Sequence, residues 1–342
     1  MIYNWILNNI KGDKWIWIIA MILSVLSLLV VYSATGSLAY QKMQGNTEYY
    51  LFKHFFLILL SFFAMWFTHR IDYKYFSKIS IMALYVCIPL LLFTWKFGMN
   101  INDASRWINI PILNQAFQPS DLAKVSLIVY LSSYLSKHQV NIENIKESLV
   151  FPLIWVLVIC LLIALTNFSS AILLLITCLI LLFISRVPIK YVMMLIICSI
   201  FAGSIAMFIG QRGNTVLSRF ENFIDNKDIP FQLEQAYIAV STGGIFGKGP
   251  GQSNQKNFLP QSYSDFIYAI IIEEYGLITG ILVIILYLIL LYRGLVTLIN
   301  SERAFGGLLS AGLIFALVIQ AIINMSVVVG LLPVTGLTLP LI

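Results

Sequence analysis

The sequence predicts an all-α fold, a polytopic membrane helix bundle of about nine spans joined by long outer loops, and three observations predict it. Of 342 residues, 60% are hydrophobic and only 11% are charged, whereas a soluble chain carries about 25% charged residues. Apolar runs close to the ~20 residues needed to cross the hydrocarbon core recur along the chain. The third observation is that Lys and Arg gather in alternate connections between those runs. With a mean hydropathy of +0.90, a water-dissolved globule is excluded. The formal charge of +6 suits the positive flanks of membrane spans and gives no reason to expect a nucleic-acid partner.

The first apolar run, Trp15 to Val31, follows Lys11 and Lys14. It is longer than a signal-peptide core and has no small-residue cleavage site, so it reads as a retained span. Spans are expected over 15–33, 50–68, 79–95, 149–165, 168–185, 192–210, 263–291 and 307–329. A weaker ninth, 120–136, opens with Asp121 and Lys124. If it crosses and the N-terminus is cytoplasmic, the inner segments hold Lys11, Lys14, Arg70, Lys74, Lys78, Lys137, Lys146, Arg186, Lys190, Arg293 and Arg303. That is 11 of the 21 basic residues against 5 of the 15 acids, which leaves 10 of each elsewhere. Net positive charge is thus confined to one side, as the positive-inside rule requires.

Two connections, 96–119 and 211–262, are long and read as outer loops. Extended loops are often functional, so any chemistry is expected to face outward. There is no internal repeat and no inverted pair of broken helices of the kind that marks a secondary transporter. Cys87, Cys160, Cys178 and Cys198 fall inside apolar runs, where a thiol behaves as a small hydrophobe. His54, His69 and His138 are separated from one another and from any Cys, so no transition-metal site is indicated.

Several polar residues stand out. Arg106 beside Trp107 reads either as an interfacial anchor or as a holder of an anionic headgroup. Gln118, Pro119 and Ser120 read as a loop entering a helix, with Asp121 in its first turn and Lys124 three residues on as its ion-pair partner. Thr166-Asn167-Phe168-Ser169-Ser170 reads as a turn between two spans, the alternative being that Asn167 faces a polar cavity. The glycine-rich stretch from Gly243 permits close backbone approach to a ligand, but it has no Walker lysine-serine pair and is not a P-loop. Ser264 and Asp265 precede an apolar run and are candidate helix caps. Glu273 and Glu274 lie eight and nine residues further on, about 12–14 Å along the helix axis. Acids at that depth face a bundle interior or a wet cavity. At 100° per residue Glu273 is about 80° from Asp265 and Glu274 is on the opposite face, which makes Glu273 the expected lining of a cavity beneath Asp265.

These strings occur together and in order: SRWI at 105–108, FQPSDLAK at 117–124, NFSSA at 167–171, STGGIFGKGPGQSNQKNFLP at 241–260, SDFIYAIIIEEYG at 264–276 and GLLPVTGLTLPLI at 330–342. The series resembles the SEDS family (shape, elongation, division and sporulation), the FtsW and RodA proteins of bacterial cell-wall synthesis. The resemblance implies a single transmembrane domain over 1–342. It also implies a membrane glycosyltransferase that polymerises lipid II at the outer face of the cytoplasmic membrane. GLTLP at 336–340 is closer to the FtsW pattern, which points to cell division over elongation. The family's proposed catalytic aspartate falls on Asp265 and its tryptophan on Trp107. Arg106, Gln118, Lys124, Asn167, Arg219 and Lys256 are the further candidate contacts to substrate, and Glu273 and Glu274 form a candidate buried network.

The chain departs from the family where Asn167 replaces an aspartate and Thr166 a proline, at Gln261, and at Tyr263-Ser264. The family continues past LPLI into a serine-tyrosine-glycine-glycine stretch and a tenth helix, whereas this sequence ends at Ile342. The expected partner is a class B penicillin-binding transpeptidase together with other division proteins. No cofactor is required outright, although Asp265 can act as a base or hold a divalent cation, Mg or Mn. A flippase for lipid-linked precursors is the alternative function, and a scaffold that only recruits division proteins is a third.

Overall fold

A computed structural model of the chain describes residues 12–36, 47–101, 104–110, 115–138, 149–210, 213–225, 230–259 and 264–342. Lys11 and Lys146 of the charge argument, and Gln261 and Tyr263 of the family comparison, lie outside these residues. The helices are α1 (Lys14–Ala34), α2 (Thr47–Thr68), α3 (Lys74–Phe97), α4 (Pro119–Lys137), α5 (Val150–Ala164), α6 (Phe168–Ile184), α7 (Ile189–Ile209), α8 (Gly213–Asp225), α9 (Phe231–Gly243), α10 (Ile267–Asn300) and α11 (Ala304–Val328). Among the described residues, α1, α2, α3, α7, α10 and α11 are long and apolar enough to cross a membrane, while α5 and α6 are shorter apolar helices. The architecture is the helical membrane bundle that composition predicts.

The chain divides into two compact units. One comprises Met1–Asp72, Glu221–Arg293 and Leu317–Ile342, and the other Tyr73–Phe220 and Gly294–Ala316. In the first, Asp13 caps α1 by accepting from the Trp15 amide at 2.9 Å. Its other oxygen takes the Arg293 Nε at 2.6 Å, so one carboxylate both starts α1 and ties it to α10. The core of the second unit is built by Leu84, Cys87 and Leu91 of α3, Leu127 and Leu131 of α4, Val156, Ile159 and Ile163 of α5, and Leu174, Cys178 and Leu181 of α6. Cys198 is exposed on α7.

The weak ninth run is a continuous helix, α4, and its reason for reading weakly is visible. Ser126, Ser132 and Ser133 lower its hydropathy yet are buried, and Ser133 shares a hydrogen bond of 2.5 Å with Ser77 on α3. Small polar residues at helix interfaces let backbones approach and bond across them.

The two long connections carry secondary structure of their own. The connection 96–119 contains a three-stranded antiparallel sheet of order β1 (Met99–Ile101), β2 (Ala104–Ile110) and β3 (Gln115–Phe117). Met99 stands opposite Trp107, Ile108 opposite Phe117, and a bulge separates Met99 from Asn100. The connection 211–262 is likewise structured, since it contains α8, α9 and a 3₁₀ turn at Gln255–Asn257. The helix expected over 263–291 is α10, which starts at Ile267 and runs to Asn300.

Within the second unit Gly312 of α11 sits against Ile128 and Leu181. A Cβ there would stand 2.8 Å and 3.0 Å from their methyl carbons. Overpacking of this kind costs about 1–3 kcal/mol. Gly312→Leu is expected to lower the apparent Tm of the detergent-solubilised protein; an unchanged Tm contradicts this packing.

Candidate functional site

The first unit places Asp265 immediately before α10, half-buried, with Oδ1 accepting from the Ser264 hydroxyl at 3.2 Å. Its backbone carbonyl accepts from Asn324 Nδ2 at 2.9 Å, and the same amide group donates to the Leu337 carbonyl at 2.7 Å. The segment after α11 therefore lies against the start of α10. Gly336 faces the carboxylate, since a Cβ there would stand 3.6 Å from Asp265 Oδ2. Its φ of +65° is a conformation that glycine adopts at little cost.

One turn and more into α10, Glu273 and Glu274 are 0% and 1% exposed. Carboxyl groups at such depth demand hydrogen-bond partners. Glu273 receives Lys248 Nζ at 2.6 Å, the Ser253 hydroxyl, the Asn254 amide at 3.1 Å and the Gln255 amide at 3.3 Å. Glu274 receives the Ser33 hydroxyl of α1 and the Ser253 amide at 3.3 Å. Two main-chain bonds reinforce the contact, from Lys248 N to the Glu273 carbonyl and from Gly249 N to the Glu274 carbonyl, each 2.9 Å. The two acids thus fold the glycine-rich stretch onto α10.

That replaces two expectations. Glu273 serves the loop at 248–255, and the glycines make room for α10 itself. Gly276 shows the constraint most clearly, because its φ of 82° and ψ of 173° break the helical path inside α10. A Cβ there would collide with the backbone at Ile245 and Phe246. Lys256 belongs to the same network, donating to the Gly251 carbonyl at 2.7 Å and to Ser33 Oγ at 3.3 Å. On α9, which leads into the loop, burial pushes the Tyr237 phenol up.

The second unit holds the other candidates. Arg106 and Trp107 are on β2, and Arg106 Nε donates to the Thr166 carbonyl at 3.2 Å, which brings Arg106 to the turn carrying Asn167. Asn167 is buried and caps α6, its side chain accepting from the Ser170 amide at 3.3 Å. Gln118 precedes α4 and donates to Ser120 Oγ at 2.7 Å. Lys124 pairs with Asp121 at 2.7 Å. Arg219 is half-buried on α8.

Sequence reasoning passed over Lys248, Ser253, Ser33 and Asn324. A signal existed for the last, since a polar amide inside an apolar span is a functional candidate by default. For Lys248 there was none beyond its place between glycines.

Residues 13–342 match the family model described as a cell cycle protein, FtsW/RodA/SpoVE. The chain is similar to the probable peptidoglycan glycosyltransferase FtsW of Geobacter metallireducens, at 31% identity over 97% of this chain and 89% of the relative. It is also similar to stage V sporulation protein E of Bacillus subtilis, at 30% identity over 94% of this chain and 89% of the relative. Its fold matches a chain of a peptidoglycan synthase complex that coordinates polymerization and crosslinking, with a TM-score of 0.74, 19% identity, and coverage of 97% of this chain and 91% of that one. It also matches the rod shape determining protein RodA of Thermus thermophilus, with a TM-score of 0.64, 20% identity, and coverage of 94% and 88%.

Removing the acceptor of a buried hydrogen bond costs about 1–3 kcal/mol. Glu273→Ala, which strands Lys248 and three further donors, is expected to lower both yield and thermal stability of the purified protein. Normal values for both would contradict the structural role assigned to this carboxylate.

Proposed function

Because the chain belongs to the FtsW/RodA/SpoVE family of cell cycle proteins, we propose that it is a membrane glycosyltransferase that polymerises lipid II. The reaction takes place at the outer face of the cytoplasmic membrane during cell division, and the N-terminus is cytoplasmic. The observation that carries the reading is Asp265, a half-buried carboxylate at the start of a membrane helix, faced by a glycine and held through its backbone by Asn324. The relatives named as probable peptidoglycan glycosyltransferases support an enzyme over a flippase. The positive-inside distribution of charge supports the orientation, and GLTLP at 336–340 supports division.

In the proposed reaction a sugar hydroxyl of the acceptor attacks the anomeric carbon of the donor. The new glycosidic C–O bond forms as the bond to the undecaprenyl pyrophosphate breaks, with inversion at that carbon. Asp265 takes the hydroxyl proton, for which it needs hydrogen-bond reach to the acceptor or one bridging water. The departing diphosphate requires positive charge, and Arg106, with its planar fork of donors, suits phosphate oxygens. Arg219 is a second candidate. Lys124 and Lys256 are engaged with Asp121 and with the glycine-rich loop and are secondary candidates.

A divalent cation is compatible with this residue set. Among the described residues no three His, Cys, Asp or Glu side chains converge, and Mg is commonly held by one or two carboxylates plus substrate phosphates. Asp265 would then be the protein ligand, and the ion would supply charge stabilisation to the diphosphate. The partner is a class B penicillin-binding transpeptidase, a reading supported by the likeness in fold to a chain of a complex that couples polymerization to crosslinking. Other division proteins complete the assembly.

Purified Asp265→Asn is expected to lose polymerisation of lipid II by at least about a hundredfold, the scale of general-base catalysis, while its apparent Tm stays that of the parent. Extension of glycan at the parent rate contradicts the assignment.

A further inference from the structure

We propose that Asn324 is a positioning residue for Asp265, its buried amide setting the register between the start of α10 and the segment carrying Gly336. The inference rests on the reading of Asp265 as the reacting carboxylate. Asn324 lies on α11 and is 1% exposed. A side-chain amide has two N–H donors that diverge in its plane. One goes to the carbonyl of Asp265 itself at 2.9 Å and the other to the carbonyl of Leu337, next to Gly336, at 2.7 Å. One rigid group therefore fixes both sides of the gap between the carboxylate and the glycine.

The amide makes its two donated bonds at the expense of its own acceptor. Its Oδ1 is buried without a hydrogen-bond partner among the described residues, and an orphaned acceptor of this kind costs about 1–3 kcal/mol. An apolar side chain would remove that cost but would also remove both donated bonds, each contributing about 1 kcal/mol. The C-terminal segment also has other anchors. Gln320, one turn earlier on α11, donates to the Thr338 carbonyl at 2.9 Å, and the Tyr287 hydroxyl donates to the Pro340 carbonyl. Neither of these contacts reaches Asp265. What Asn324 adds is the link to the residue that carries the carboxylate, and a displacement of about 1 Å at a reacting group can cost a hundredfold in rate.

The test compares Asn324→Leu with Gln320→Leu in the purified full chain, using lipid II as substrate. Asn324→Leu is expected to lower kcat at least about tenfold with KM nearly unchanged, and Gln320→Leu is expected to leave both near the parent values. Parent-like kcat in Asn324→Leu, or equal losses in the two variants, overturns the inference. The same loss is expected of Asn324→Ala, so misfolding of one variant leaves the comparison standing.

A second arm is independent of activity. In native membranes, the pair Asp265→Cys and Gly336→Cys, made in a Cys198→Ser background, is expected to crosslink rapidly under copper phenanthroline. With Asn324→Leu added, crosslinking is expected to slow at least about tenfold, as the register it reports is lost. Equal crosslinking rates overturn the inference. A parent chain that makes no glycan would instead count against the proposed function, and this arm would still decide the role of Asn324.

Discussion

Two adjacent carboxylates buried in one membrane helix are the constraint from which the site follows. Glu273 and Glu274 are removed from solvent, where an uncompensated charge would be strongly destabilising. Compensation comes from Lys248, from the hydroxyls of Ser33 and Ser253, and from three loop amides. Because most of these donors belong to the stretch from Lys248 to Gln255, satisfying the acids requires the loop to fold down on α10. The reverse also holds, since a loop bearing so many polar backbone groups is stable against a membrane helix only when acceptors meet them.

Asp265 lies two residues before the start of the same helix. Its position is therefore fixed from two directions, by the clamp around Glu273 and Glu274 deeper in the helix and by Asn324 at its own backbone carbonyl. Gly276 allows both the clamp and the continuation of α10, since its backbone departs from the helical path where the loop presses closest. Under the proposed function, rigid support beneath a half-buried carboxylate is what a group that must meet a hydroxyl within hydrogen-bond distance needs.

Much of this was legible in the residues. Apolar runs located the helices because hydrocarbon imposes a length, and the depth of Glu273 and Glu274 marked them as a buried network. The Asp121 and Lys124 spacing announced their ion pair. Other features were not legible. β1 and β3 have three residues each, too few to show a period of two, and Pro111 and Asn114 gave the stretch the composition of a loop. Helical geometry assigned Glu273 to a cavity below Asp265, but which donors reach it is decided by how the following loop folds, and spacing along one helix carries no record of that. Glycines in the sequence signal close approach without saying to what. Here the close neighbour is protein backbone. Asn167 illustrates the converse case, because the local reading as a turn and cap was sufficient to place its side chain.

Hydrogen–deuterium exchange on the solubilised chain tests the central claim most directly, because protection at an amide reports the free energy of opening its bond. If the two glutamates hold the loop, the amides of Lys248, Gly249, Ser253, Asn254 and Gln255 exchange slowly, on the timescale of the membrane helices. Exchange of those five at the rate of an open surface loop would contradict the account.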